Sequence, residues 1–207
     1  MDTMKRFLRP CFAAILAVSM LIAGCDSKPG FRNTDITGAD YARDFALTDH
    51  NGRKVTLADY RGKVVTVFFG FTQCPDVCPT ALAEMREVMG KLGADAAKLQ
   101  VLFITIDPER DTQALLSQYV PAFHPSFVGL YGDAAATAAV ARDFKVFYRK
   151  VEGKTPGSYT MDHSAGTYVF DPQGRLRLFV RPAPPGDSAS ASVDRLVEDI
   201  RLLLAGK

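Results

Sequence analysis

Tryptophan is absent from these 207 residues, histidine occurs three times and cysteine four times. Four cysteines are too few for the disulfide framework that replaces a core in small secreted domains. A chain of this length needs none, because one domain can bury a full hydrophobic core. Neither sign of charge is in excess: 25 Lys and Arg stand against 23 Asp and Glu, a formal +2. The basic footprint of a nucleic-acid binder is therefore missing, and no nucleic-acid partner is expected. No apolar run reaches the roughly 18 to 20 residues of a membrane-spanning helix. Hydrophobic residues make up 47%, an ordinary share for a globular protein. With so few cysteines and histidines, the place of each one is informative.

Lys5, Arg6 and Arg9 precede an uncharged, mostly apolar stretch, Cys11 to Gly24, ending Leu21-Ile22-Ala23-Gly24-Cys25. A basic start, a short apolar segment and small residues before a cut are the layout of a secretory signal. Cysteine directly after Ala-Gly resembles a bacterial lipobox, in which that cysteine is lipidated and becomes the new N-terminus. Residues 1–24 are thus expected to be a lipoprotein-type signal peptide cleaved before Cys25, with Cys25 as the lipidation site. An ordinary signal with Cys25 a bystander is the competing reading. Asp26 follows, which in lipoproteins of some bacteria marks retention at the inner membrane. The expected location is the periplasmic side of the inner (cytoplasmic) membrane, held by the lipid. Cleavage removes Lys5, Arg6 and Arg9 with Asp2, leaving 22 basic and 22 acidic residues. The polar residues 25–40, with Lys28-Pro29-Gly30, read as a flexible tether, and 41–207 as the folded domain.

The domain reads as alternating strands and helices. Phe45 and Leu47, then Asp49-His50-Asn51-Gly52, then Val55 and Leu57, predict an N-terminal β-hairpin with an Asn-Gly turn. Lys63 to Phe71 and Leu99 to Ile106 are near-continuous apolar runs, the pattern of buried strands. Leu82, Met85, Met89 and Leu92 recur at helical spacing after Cys78-Pro79. A helix is expected from Asp111-Thr112 to Val120, a strand at Phe127–Tyr131, and a helix at Ala134–Phe144. Val146–Val151 is a strand candidate, and Glu152 to Met161, with Gly153, Pro156 and Gly157, reads as a mobile loop. Thr167–Phe170 and Leu176–Val180 are strands joined by Asp171-Pro172-Gln173-Gly174. Val193, Leu196, Val197, Ile200, Leu203 and Leu204 mark a last amphipathic helix. This order indicates an α/β fold with a mixed central sheet flanked by helices.

Cys74 and Cys78 are the only cysteines left for chemistry once Cys11 and Cys25 are assigned to the leader and the anchor. They lie between a buried strand and a helix, where α/β sheets place their sites. A helix N-terminus there favours a thiolate. In a helix, residues i and i+4 face the same side with Cβ atoms roughly 5–6 Å apart, wider than the 3.5–4.5 Å of a disulfide. A turn can close further, so a disulfide is reachable with adjustment. One ion between two sulfurs tolerates the wider gap, and two thiolates favour Cu(I) or zinc. A structural disulfide enclosing three residues would add little chain-entropy stabilisation.

Two sulfurs leave a metal site incomplete. His50, in the hairpin turn, and His124, before Pro125, read as surface residues. His163 lies at a loop-to-strand junction that faces the cysteine turn in a thioredoxin-like layout, and it is the candidate third ligand. Met161 is a candidate soft neighbour or mere filler. Asp162 is a candidate to orient the imidazole or a solvated acid.

Phe69-Gly70-Phe71-Thr72, Cys74-Pro75-Asp76-Val77-Cys78-Pro79, Thr105-Ile106-Asp107-Pro108-Glu109-Arg110-Asp111-Thr112 and Asp162-His163-Ser164 occur in this order. With them the sequence resembles the Sco/SenC family of copper-binding, thioredoxin-fold proteins, over about Asp44 to Arg201. The resemblance implies one copper ion per monomer on Cys74, Cys78 and His163. It implies a metallochaperone in the assembly of the CuA centre of cytochrome c oxidase. Its partner would be the CuA-bearing subunit or another periplasmic copper chaperone. The alternative is a thiol–disulfide oxidoreductase that uses Cys74 and Cys78 as a redox pair to keep a client's cysteines reduced. Asp107 matches an acid of the family and also suits a turn before Pro108. Two features depart from many members: Gln73 stands where they have histidine, and a lipid replaces their membrane helix.

Overall fold

The computed structural model describes residues 30–182 and 188–207. The expected signal peptide, Cys25 and the start of the tether lie outside the described residues. Among the described residues ten strands are formed: Thr34–Asp35 (β1), Ala46–Asp49 (β2), Lys54–Thr56 (β3), Val64–Gly70 (β4), Leu99–Thr105 (β5), Val128–Tyr131 (β6), Tyr148–Glu152 (β7), Tyr159–His163 (β8), Thr167–Phe170 (β9) and Leu176–Val180 (β10). The α-helices are Val77–Leu92 (α1), Gln113–Tyr119 (α2), Ala134–Asp143 (α3) and Ala189–Leu204 (α4).

β4 and β5 are buried at all seven of their positions. Successive strand residues point to opposite faces, so both faces of these strands are covered. They pair in parallel from Val64 opposite Leu99 to Gly70 opposite Thr105. Parallel neighbours need a crossover, and α1 supplies it. The sheet runs β1-β10-β9-β4-β5-β6-β2-β3. β6 joins in parallel, while β2, β9, β10, β1 and β3 are antiparallel to their neighbours, so the sheet is mixed. α1 packs with α4, α2 lies against β6 and α3 against β2. Thr112, Asp133 and Ser188 cap α2, α3 and α4, each accepting a bond from the backbone N–H three residues on, which satisfies an amide the helix leaves free.

Three expectations are corrected. Residues 31–40, read as part of a flexible tether, are held on the domain. β1 pairs with β10, and the buried Asp199 accepts bonds from the amides of Arg32 and Asn33 and from the Asn33 side chain. Their polar character reflects an edge strand fastened through its backbone. Glu152 to Met161 is not a loop throughout. β7 and β8 pair from Tyr148 opposite His163 to Glu152 opposite Tyr159, and the Gly and Pro residues are confined to the tip. His50 is buried, not a surface residue: its Nδ1 accepts the Gly129 amide at 2.9 Å. Burial lowers its pKa most, with Asp49 opposing.

Candidate metal centre

β4 ends at Gly70 in the middle of the sheet, and the chain must turn into α1 through residues 71–76. Asp111 holds that turn. Its buried carboxylate accepts the Thr72 amide at 3.0 Å, the Thr72 hydroxyl at 2.6 Å and the Thr105 hydroxyl at 2.6 Å. Burial pushes the Asp111 pKa up, and these hydrogen bonds oppose the rise. The turn also closes on itself through the Cys74 amide and the Phe71 carbonyl.

Both cysteines are free thiols. Cys78, in the first turn of α1, is fully buried, whereas Cys74 is half-buried. Asp76 stands at the helix N-cap but makes no side-chain cap bond. The Cys78 amide donates to Cys74 Sγ instead, at 3.4 Å. A sulfur thus takes one of the amides that a helix start leaves unsatisfied, and the positive end of the helix is aimed at Cys74. The expected thiolate-favouring effect does not win at Cys78. Burial pushes its thiol up, more than the neighbouring backbone contact with Phe71 pulls it down. Gly70 lets Cys78 seat there, since a Cβ at Gly70 would come within 2.8 Å of Cys78 Sγ.

His163 ends β8 with its Nε2 3.9 Å from Cys78 Sγ. Its Nδ1 lies 2.9 Å from the Ser164 carbonyl oxygen. A carbonyl only accepts, so Nδ1 carries the proton and, in the neutral ring, Nε2 presents its lone pair toward the sulfur. Phe68 and Phe71 meet the imidazole edge-on, at ring-centre distances of 6.3 and 6.0 Å. A trigonal ion at bond lengths of about 2.3 Å to sulfur and 2.0 Å to nitrogen separates these atoms by about 3.7 Å. The donor pair has the spacing of two ligands of one ion. Among the described residues, no three His, Cys, Asp or Glu groups already form a closed set; the three candidates meet through Cys78.

The other candidates stay outside. His124 bonds Ser126 beside it. Asp162 does not orient the imidazole: it points away along β8 and pairs with Arg149 at 3.1 Å. The Ser164 carbonyl fills that role, because Asp162 and His163 are strand neighbours and face opposite ways. Met161 shares the His163 face of β8 and is buried in the core. Gln73 accepts a bond from Arg110. A hollow of about 630 Å³ lies elsewhere, between residues 37–43 and 174–177.

Sequence reading missed one cluster beside the site. Asp107 is buried and accepts from Arg110 Nε and, at 2.9 Å, from the Tyr159 hydroxyl. The signal was there in an Asp-Pro-Glu-Arg-Asp run at the carboxyl end of a buried strand, where such sheets gather polar function. Its partner Tyr159 is remote in sequence and sits in a segment read as a loop.

The SCO1/SenC family model matches residues 33–198. The mitochondrial SCO2 homolog of Bos taurus is 39% identical over 163 residues, which are 78% of this chain and 61% of that protein; the chain therefore matches about three fifths of that relative's length. The solved structure of Bradyrhizobium japonicum ScoI with copper bound is 42% identical, with a TM-score of 0.66 over 78% of this chain and 98% of the other. The solution structure of apo Sco1 from Thermus thermophilus is 41% identical, with a TM-score of 0.73 over 86% and 99%. The fold is the thioredoxin-like α/β fold of these structures.

Proposed function

The chain belongs to the SCO1/SenC family, and from that premise we propose that it is a copper metallochaperone for assembly of the CuA centre of cytochrome c oxidase. Cys74 and Cys78 bind the ion as thiolates and His163 completes a three-coordinate site. The observation that carries this reading is the 3.9 Å approach of His163 Nε2 to Cys78 Sγ, with Cys74 Sγ on the Cys78 amide. Two sulfurs and an imidazole suit Cu(I). The copper-bound Bradyrhizobium relative supports the cargo. Copper here is cargo, passed on by ligand exchange with a client's cysteines, either those of the CuA-bearing subunit or those of another periplasmic copper chaperone.

The anchoring belongs to the same proposal. Residues 1–24 are removed as a signal peptide, Cys25 is lipidated, and the domain works at the periplasmic face of the inner membrane. Among the described residues no helix is long and apolar enough to cross a membrane.

The test is to load the reduced protein with Cu(I) and measure stoichiometry and ligation. One ion with two sulfurs and one nitrogen is expected. Copper binding that survives Cys74→Ser and Cys78→Ser would sink the site. Two free thiols, one of them accepting the other's backbone amide, also favour a second reading, a thiol–disulfide oxidoreductase cycling Cys74 and Cys78. That activity needs no histidine, so His163→Ala should keep reductase turnover while losing most copper affinity.

A further inference from the structure

The hairpin that carries His163 is not part of the main sheet. β7 and β8 pair only with each other, and a lone two-stranded hairpin is marginal in water. Something must hold it against the cysteine turn. The exposed Lys150–Glu109 pair, with its partners 45% and 62% exposed, is a weak tie.

Arg110 makes the stronger tie. Its Nη1 donates to Gln73 Oε1 at 3.0 Å, directly before Cys74, and to the Tyr159 carbonyl at 2.8 Å, at the start of the His163 strand. Its Nε donates to the buried Asp107, whose other oxygen accepts the Tyr159 hydroxyl. The guanidinium lies 3.7 Å from the centre of the Tyr159 ring and 5.8 Å from that of Phe71. One planar group therefore joins three segments: the cysteine turn, the β5–α2 loop and the hairpin. Only a rigid fork with a stackable face can do all of this, and an ammonium cannot.

We propose that Arg110 is a positioning residue for the metal centre, latching the His163 strand to the cysteine turn so that the imidazole meets an ion held by Cys74 and Cys78. The proposal rests on the copper reading above for its consequence but not for the latch itself. Without Arg110 the two sulfurs remain, and the nitrogen is supplied by a hairpin still packed through Met161 but no longer tied to the cysteine turn.

The experiment compares the wild-type chain with Arg110→Ala and Arg110→Lys. The first readout is amide hydrogen exchange without copper. Exchange should rise in Tyr148–Glu152 and Tyr159–His163 of Arg110→Ala while β4 and β5 stay protected. The second is X-ray absorption and affinity with Cu(I). Two sulfurs should persist, the nitrogen signal should fall, and affinity should drop about 10- to 100-fold, the usual loss when a ligand's support is removed. Arg110→Lys should restore little of either. Unchanged hairpin exchange, or a rise that spreads through β4 and β5, overturns the latch. Intact nitrogen ligation and affinity in Arg110→Ala overturn its role in the metal site. If Arg110→Ala does not fold, Gln73→Ala combined with Tyr159→Phe cuts two arms of the latch and must reproduce the hairpin result. A wild-type copper spectrum lacking nitrogen would refute the copper reading and leave the exchange result to decide the latch.

Discussion

Gly70 is the residue on which the seat of Cys78 depends most directly. A methyl group there would stand 2.8 Å from Cys78 Sγ and 2.8 Å from the Phe103 ring, both buried. Neither neighbour has room to retreat, so Gly70→Ala should destabilise by about 1–3 kcal/mol, the usual cost of overpacking. It should also displace the sulfur and weaken copper binding. A melting temperature and a Cu(I) titration equal to wild type would show that the thiol moves freely. The two sulfurs should also differ in reactivity. Cys78 is fully buried and burial pushes its thiol up, which lowers its share of the attacking thiolate, while Cys74 is only half-buried. Alkylation of the reduced protein should show a fast phase that Cys74→Ser removes and a slow phase that Cys78→Ser removes. Reaction of both at one rate would refute this. At this scale the three metal-site candidates were legible from type, spacing and order. The balance between helix field and burial at Cys78 was not, because burial there comes from packing against remote parts of the chain such as Gly70. Asp107 and Asp111 were noted, but their distant donors Tyr159 and Thr72 escaped, because they lie many residues away.

Two turns of the sheet are built to one plan. In Asp49-His50-Asn51-Gly52-Arg53 and Asp171-Pro172-Gln173-Gly174-Arg175, the aspartate Oδ1 accepts the amides two and four residues on. Its Oδ2 accepts the Nε of the arginine four residues on. Gly52 and Gly174 take the positive φ, +84° and +77°, that closes each turn. Burial pushes each carboxyl up, but the hydrogen bonds and arginines outweigh it, and both pKa values fall below the ordinary carboxylate value. A depressed native pKa contributes stability that is present above the unfolded value of about 4 and is lost as pH falls through the depressed one. Asp171→Asn should therefore cost about 1–3 kcal/mol at pH 7, and the gap to wild type should narrow below about pH 4. Denaturant melts at several pH values measure this, and a gap that does not change with pH would contradict it. Both turns were readable from Asn-Gly and Pro-Gln-Gly, and the strands between them from runs of apolar, β-rich residues. The β7–β8 hairpin was obscured because the Gly and Pro of its tip dominate a window that also holds the alternation Tyr159, Met161, His163.

Across the whole molecule, the mixed central sheet with flanking helices follows from the strand–helix alternation, but the start of the domain does not. Residues 31–36 look like tether because they carry little apolar character, yet the domain claims them through backbone pairing and one buried carboxylate. Asp199 lies in α4, 166 residues beyond Asn33, and accepts three bonds from Arg32 and Asn33. No local pattern announces such a contact. If Cys25 carries the lipid, six residue steps separate it from Phe31, a reach of at most about 20 Å. A tether lasting to residue 40 would reach more than twice as far. Asp199→Ala leaves three donors without their acceptor, at about 1–3 kcal/mol, and frees the first segment from α4. Trypsin should then cut after Arg32 much faster than in wild type, while cleavage within β4 and β5 stays slow. Equal rates at Arg32 in the two proteins would show that pairing of β1 with β10 alone fixes where the domain begins.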